Sequence, residues 1–109
     1  MSQLLALLMS HAIADFPLQS DFMAKGKNRH VMPSFIPPGQ KRQTTWPYVL
    51  TAHALVHGAG VWLVTGVWWL GLAETVAHWL IDFGKCENWY GIHQDQGLHI
   101  LCKVIWWII

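Results

Sequence analysis

Four mainly apolar stretches, separated by polar segments that contain glycine or proline, predict four helices. Their approximate bounds are 2–24, 46–66, 68–83 and 95–109. The segment 25–45 carries basic residues and three prolines, so it is predicted to be a loop. Pro17 removes a backbone hydrogen bond inside the first stretch and predicts a kink near Asp15. The expected fold is therefore all-α, a compact bundle of four mostly transmembrane helices forming a single domain over 1–109.

Acidic and histidine side chains recur one helical turn apart inside these apolar stretches. The groups are His11-x3-Asp15, His53-x3-His57, Glu74-x3-His78-x3-Asp82 and Asp95-x3-His99. Residues i and i+4 lie on one face of a helix, so each group can present its ligands to one point. Polar groups in apolar surroundings are unfavourable unless they are hydrogen-bonded, paired or bound to a metal. A shared metal site is the simplest explanation of the pattern.

Imidazole and carboxylate ligands together favour Zn, Mn or Fe over Ca, which prefers oxygen ligands alone. The predicted metal ligands are His11, Asp15, His53, His57, His78, Asp82 and His99. This set exceeds what a single zinc needs, so it fits two divalent ions, or one ion with outer carboxylates that orient the histidines. Ala54 stands where a zincin has its glutamate, which excludes that motif. Weaker candidates are Gln19, Asp21, His30, His93 and Gln96.

Each pair taken alone has an ordinary structural interpretation. A single histidine on a helix face is more often a hydrogen-bonded core residue than a ligand. Asp15 can pair with Lys25, and Asp95 can cap a helix. Lys85, one turn from Asp82, can meet an anionic lipid or a phosphate, but an ordinary cationic anchor explains it as well. The hypothesis of a metal site therefore depends on the concurrence of all four groups.

Composition favours a membrane protein without a nucleic-acid partner. Of the residues 53% are apolar and only 12% are charged, about half the charged fraction of an ordinary soluble domain. The formal net charge of +1 gives no basic surface for nucleic acid. No Lys or Arg precedes the first apolar run, so a cleavable signal peptide is not expected. Cys86 and Cys102 lack zinc-site spacing and are interpreted as thiols rather than a disulfide.

The distribution of cations predicts the orientation of the chain. Five Lys or Arg lie in the loop between the first two helices, and Lys85 follows the third helix. If the four helices cross the membrane in turn, the connection after the first helix and the connection after the third lie on the same side. The positive-inside rule assigns that side to the cytoplasm. The prediction is a multi-pass protein of the bacterial inner membrane with both termini periplasmic and all four polar groups in its cytoplasmic half. Only the second helix is comfortably long and apolar enough to span, so a soluble or peripheral bundle is the alternative.

These polar positions also carry a family resemblance that spans nearly the whole chain. The matching residues are His11-x3-Asp15-Phe16-x-Leu18-Gln19-x-Asp21 with Gly26-Lys27, His78-x2-Ile81-Asp82-x2-Lys85, and Asp95-Gln96-x2-His99. They resemble the bacterial and phage domain-of-unknown-function family 3307. The resemblance implies a small polytopic membrane protein without an established activity, and is compatible with a phage or prophage origin.

Three functions are compatible with this pattern. The first is a membrane-embedded metal-dependent hydrolase that acts near the cytoplasmic face on a lipid, lipid-linked or membrane-peptide substrate, with Glu74 or Asp95 as general base. The second is a metal or proton transporter subunit, which with so few helices would form a homo-oligomer. The third is a non-catalytic protein of a phage–host envelope interaction, whose polar residues hold the helices together. The expected partners are the lipid bilayer and a membrane substrate.

Overall fold

The computed structural model describes residues 2–30 and 45–109, and this part of the chain contains helices and no strand. The helices are α1 (Ser2–Asp15), α2 (Asp21–Gly26), α3 (Trp46–Thr65), α4 (Trp68–Cys86) and α5 (Ile92–Ile108). The all-α prediction is confirmed for these residues. The loop predicted over 25–45 begins after α2, and its residues 31–44 lie outside the described part.

Pro17 divides the first predicted helix rather than bending it. Helix α1 ends at Asp15, and a turn leads to α2, so the described residues form five helices where four were predicted. Proline lacks the N–H that would continue the helix, and its ring clashes with the preceding turn. The Ser20 hydroxyl then caps α2 by accepting a hydrogen bond from the backbone N–H of Met23 at 3.1 Å. This reversal lays α2 against α3.

Helices α3 and α4 form a tight hairpin. Gly66 ends α3 in the left-handed conformation with φ of 72°, and its N–H bonds to the Trp62 carbonyl at 2.7 Å. Further along, a Cβ atom at Gly58 would lie 2.6 Å from the backbone oxygen of Gly71, and one at Gly71 would lie 2.8 Å from that of Gly58. The two backbones therefore approach more closely than any side chain would allow.

The other helices complete a ring around a common interior. Helix α1 packs against α3 and α5, and α4 packs against α3 and α5. One end of this ring, where α1 and α4 end and α5 begins, is called the cavity end below. At the opposite end Leu7, Val61 and Leu70 form a buried apolar cluster, the Leu7 cluster. The predicted bounds of the last two helices were too short, since α4 continues to Cys86 and α5 begins at Ile92.

Between these ends the protein is polar inside and apolar outside. The buried polar side chains are His11, Lys27, His53, His57, Glu74, His78, Asp82, Asp95, His99 and Lys103. Large apolar side chains cover the outer faces of α1, α3, α4 and α5; Leu63, for example, is 85% exposed. Charged side chains are rarely buried to this extent unless they are paired.

Among the described helices one, α3, is long and apolar enough to cross a membrane, and 33% of its apolar window is buried inside the protein. Length and composition alone are weak evidence, because the core helix of a soluble protein passes the same test. Charged residues lower the mean hydropathy of the last two helices: Glu74, Asp82 and Lys85 in α4, and Asp95 and Lys103 in α5. All of these side chains except that of Lys85 are buried.

Candidate metal centre

The four spaced groups of acidic and histidine residues converge inside the ring of helices. His57 of α3 and His78 of α4 stack with their ring centroids 3.6 Å apart, and His78 and His99 of α5 with theirs 4.1 Å apart. His11 of α1 completes the set, with its ring centroid 5.2 Å from that of His99. Since i, i+4 spacing turns each pair to one helix face, the ring arrangement brings the pairs to the same interior region.

One cluster of ligand atoms joins three helices. Asp15, His53, His57 and His78 each offer an atom, and these atoms lie within 4.8 Å of one another. We call these residues the Asp15 group. Asp15 Oδ1 lies 2.8 Å from His57 Nε2 and 3.3 Å from His53 Nε2. One carboxylate and three imidazoles are the ligand types of a zinc, manganese or iron site.

A second cluster lies beside the first, nearer the cavity end. Asp82, Asp95 and His99 also bring one ligand atom each within 4.8 Å, and form the Asp82 group. His99 Nε2 lies 3.1 Å from Asp82 Oδ1 and 3.4 Å from Asp95 Oδ1. Asp82 connects the groups, because its Oδ2 lies 3.3 Å from His53 Nε2. The two groups can therefore share one ion or hold two adjacent ions.

Two residues predicted to belong to the site, His11 and Glu74, lie beside these groups but belong to neither. The Nε2 atom of His11 lies 3.4 Å from Asp15 Oδ2. Glu74 joins His78 and His99 in a third set of close ligand atoms. However, Glu74 also accepts hydrogen bonds from Lys103 Nζ at 2.5 Å and from Trp106 Nε1 at 2.6 Å. These bonds occupy both oxygens of the Glu74 carboxylate.

Among the weaker candidates, Gln96 has the most connected position. Its amide nitrogen donates to Asp15 Oδ2 at 3.2 Å and to Asp95 Oδ2 at 3.1 Å, while its oxygen lies 3.0 Å from His11 Nε2. Gln96 thus links both groups, as residues that orient metal ligands do. Gln19 contacts the Asp15 backbone and the Lys27 ammonium group. His30 and His93 are exposed. The side chain of Asp21 lies outside the described part of the chain.

Two buried lysines were not among the predicted site residues. Lys27 Nζ donates to Asp82 Oδ2 at 2.8 Å, and Lys103 pairs with Glu74 near the Leu7 cluster. The spacing contained a signal for Lys103, which continues the Asp95-x3-His99 face by another turn. No helical spacing marks Lys27, because it approaches Asp82 from the end of α2, although Gly26-Lys27 is part of the family resemblance.

The interior is suited to a divalent cation. Four carboxylates, those of Asp15, Glu74, Asp82 and Asp95, face the ammonium groups of Lys27 and Lys103. With neutral histidines this leaves two negative charges, which one divalent ion or two protons would neutralise. Within residues 2–30 and 45–109, several buried ring nitrogens also lack a hydrogen-bond partner: both of His53, both of His78, and Nδ1 of His11, His57 and His99. Unsatisfied buried acceptors are costly, and metal coordination is one way to satisfy them.

A cavity of about 160 Å³ reaches these groups from the cavity end. Its lining residues are Asp15, Phe16, Gln19, Lys27, Asp82, Lys85, Ile92, Asp95 and Gln96. Its volume is well above what one water molecule requires. All three aspartates of the two groups therefore border a space in which water and part of a substrate can lie.

Outside this cavity, an ion-pair cluster connects the residues that follow α2 with the turn between α4 and α5. The Glu87 carboxylate accepts hydrogen bonds from Arg29, one of them at 2.8 Å from Nη2, and lies 3.0 Å from His30 Nε2. The bonds from Arg29, and then that from His30, lower the pKa of Glu87 to about 2. Arg29 and His30, which follow α2, and Glu87, which follows α4, are thus at the same end of the protein.

Comparison with known proteins identifies a family without a described activity. The model of the family described as "Protein of unknown function (DUF3307)" matches residues 3–109, so the chain belongs to this family and the predicted resemblance is confirmed. No curated protein matches the chain, and no solved structure does. Any assignment of function therefore depends on the buried histidine and carboxylate groups.

Proposed function

We propose that this protein is a membrane-embedded, metal-dependent hydrolase that acts near the cytoplasmic face on a lipid, lipid-linked or membrane-peptide substrate. The observation that supports this most directly is the convergence of four helices' imidazole and carboxylate side chains beside a cavity, inside a bundle whose outer surface is apolar. A bilayer is the solvent that favours this inverted distribution, and buried ionisable groups in such a protein usually mark its functional site.

The position of the charges supports a cytoplasmic cavity end. The Arg29–Glu87 contact places Arg29, at the start of the first cationic connection, and Glu87, which follows α4, at the same end, which agrees with the predicted orientation. Aromatic side chains gather there as well: the rings of Trp46 and Trp79 lie 6.2 Å apart, and those of Phe83 and Trp89 lie 5.8 Å apart. Such aromatic belts are typical of membrane interfaces. Both termini would then be periplasmic.

The ligand types favour Zn, Mn or Fe at the Asp15 group, with Asp82 and His99 available for a second ion or as outer residues. A metal of this class lowers the pKa of a bound water towards neutrality and polarises the scissile group. Gln96 would hold Asp15 and Asp95 in place through its two amide hydrogen bonds. Hydrolysis adds the elements of water across the scissile bond, and the departing group leaves with a proton.

Of the two predicted general bases, Asp95 fits the contacts better. Asp95 borders the cavity, and its buried Oδ1 accepts no hydrogen bond from the described residues, so Asp95 can accept a proton from a water molecule there. Glu74 is bound by Lys103 and Trp106 and does not border this cavity. We therefore assign proton abstraction to Asp95 and the neutralisation of Lys103 to Glu74.

A metal or proton transporter is the second candidate, because polar side chains form a column along the bundle. On α4 this column runs through Asp82, His78 and Glu74, about 12 Å at 1.5 Å per residue. Beyond Glu74 the Leu7 cluster fills the interior, with Trp106 packed against it. A continuous path would require this cluster to open, which makes hydrolysis the better-supported function.

The test uses the purified full chain in vesicles of bacterial lipid, loaded with metal, and product analysis by mass spectrometry. We expect metal-dependent release of hydrolysis products, and a loss of roughly 10²-fold or more in rate for Asp95→Asn with its metal retained. His93→Ala, which changes an exposed histidine of α5, is the control and should leave the rate unchanged. Metal flux without hydrolysis would instead assign transport, and a fully active Asp95→Asn variant would remove Asp95 from the mechanism.

A further inference from the structure

The lining of the cavity combines two cations with an apolar mouth. Lys27 lines it, with its Nζ 2.8 Å from Asp82 Oδ2 and 2.6 Å from Gln19 Oε1. Lys85, one helical turn beyond Asp82 on α4, also lines it and is half-buried. In the described part of the chain, no acidic side chain forms an ion pair with Lys85. This lysine is therefore available to a ligand in the cavity.

Large apolar side chains border the same cavity. Phe16, in the turn after α1, is 71% exposed, and Ile92, at the start of α5, is 49% exposed. Both therefore belong to the outer apolar surface as well as to the cavity lining. A molecule seated here would place one part against lysines and aspartates and another part against the apolar exterior.

From this juxtaposition we infer that the cavity binds an amphiphile with a phosphate head group, its head between Lys27 and Lys85 and its hydrocarbon tail beside Phe16 and Ile92. This inference rests on the proposed function and narrows its substrate class. Phosphate is the head group that paired lysine ammonium groups favour, because it spreads negative charge over several acceptor oxygens. The cavity volume of about 160 Å³ admits such a compact group.

The charges of the lining make this binding dependent on the metal. Three aspartates and two lysines border the cavity, which leaves one net negative charge that repels an anion. A divalent cation held at the Asp15 group, whose aspartate borders the cavity, reverses the sign to one net positive charge. The phosphate head group is therefore accepted by the metal-loaded protein and rejected by the metal-free protein.

Native mass spectrometry of the full chain in detergent tests this, because it resolves bound metal and bound lipid in one spectrum. The zinc-loaded protein is titrated with dioctanoyl phosphatidic acid, with dioctanoylglycerol, which has the same tails without phosphate, and with inorganic phosphate. We expect a larger fraction of the protein to carry bound phosphatidic acid than either of the other two compounds. Chelation of the zinc should release the phosphatidic acid. Equal binding of dioctanoylglycerol would overturn phosphate recognition. Equal binding of inorganic phosphate would overturn the role of the tail.

Matched variants assign the contacts. Lys85→Gln should weaken phosphatidic acid binding about fivefold, the upper range for a partly exposed charge pair. Lys25→Gln changes an exposed lysine that does not border the cavity, and should leave binding unchanged. Phe16→Ser should weaken lipid binding relative to Leu18→Ser, which alters an exposed side chain away from the cavity. Equal effects of the lysine variants would contradict the inference.

The two proposals fail in different ways. A zinc-loaded protein without preference for the phosphate lipid overturns this inference and leaves the metal site intact. A protein that binds no metal, and binds phosphatidic acid equally with and without zinc in solution, overturns both. The metal peak in each spectrum distinguishes these results.

Discussion

The imidazole rings of His57 and His78 stack with their centroids 3.6 Å apart, although they belong to two different helices. The close approach of α3 and α4 at Gly58 and Gly71 makes this stacking possible, since each glycine faces the backbone oxygen of the other. The hairpin geometry and the candidate metal centre therefore depend on the same pair of glycines.

Gly58→Ala tests this dependence. The new Cβ would lie 2.6 Å from the Gly71 backbone oxygen, so the helices must separate and the His57 ring must move away from His78. We expect a loss of about 1–3 kcal/mol in the free energy of unfolding in detergent, together with reduced metal content. The control is Gly97→Ala on α5, where an added Cβ meets nothing within 4 Å. Equal metal content in both variants would show that the glycine contact does not position the ligands.

The Lys103–Glu74 pair predicts a strong effect of losing one partner. Lys103→Met leaves the fully buried Glu74 carboxylate without its cation, and should cost about 3–5 kcal/mol of stability by denaturant titration in detergent. The double variant Lys103→Met, Glu74→Gln removes both charges and should recover most of this loss.

The same double variant separates the roles of Glu74. Because we assign Glu74 to neutralising Lys103, the double variant should keep the metal content of the unmodified protein. Loss of the metal from a folded double variant would instead identify Glu74 as a necessary ligand.

The proposed orientation in the membrane predicts opposite accessibility for two introduced thiols. In a background without Cys86 and Cys102, Ser2→Cys should react with a membrane-impermeant maleimide added to intact cells, because the N-terminus is predicted to be periplasmic. Gly91→Cys lies at the cavity end, where an added Cβ meets nothing within 4 Å, and should react only after permeabilisation. The reverse pattern would invert the topology, and recovery of the protein in the soluble fraction would contradict membrane insertion.

The sequence was sufficient to predict which helix faces carry the buried histidine and carboxylate side chains. The i, i+4 spacing of Glu74, His78 and Asp82 fixes their common face, and apolar residues around them exclude a solvated surface. The convergence of four such faces was expected because burial of these polar side chains is unfavourable unless they contact one another or a metal. Spacing within a helix therefore specifies the face on which each side chain lies.

The sequence did not predict which side chains of different helices contact one another. Lys27 reaches Asp82 across 55 positions of sequence, and this contact exists only because Pro17 ends α1 and the chain turns back along α3. The sequence predicted a bent helix over 2–24 and placed Lys27 in the loop that follows it. The buried positions of Asp95 and Lys103 on α5 likewise result from the packing of the helices, which composition alone does not specify.

The metal content of the purified full chain tests the central claim most directly. Elemental analysis should find at least one equivalent of Zn, Mn or Fe per chain, and loss of most of it in His57→Ala, which removes a ligand of the Asp15 group. His93→Ala, an exposed histidine on the same helix as His99, should retain the metal. Metal-free wild-type protein after purification and reloading, or equal metal in the His57→Ala and His93→Ala variants, would contradict the proposed centre.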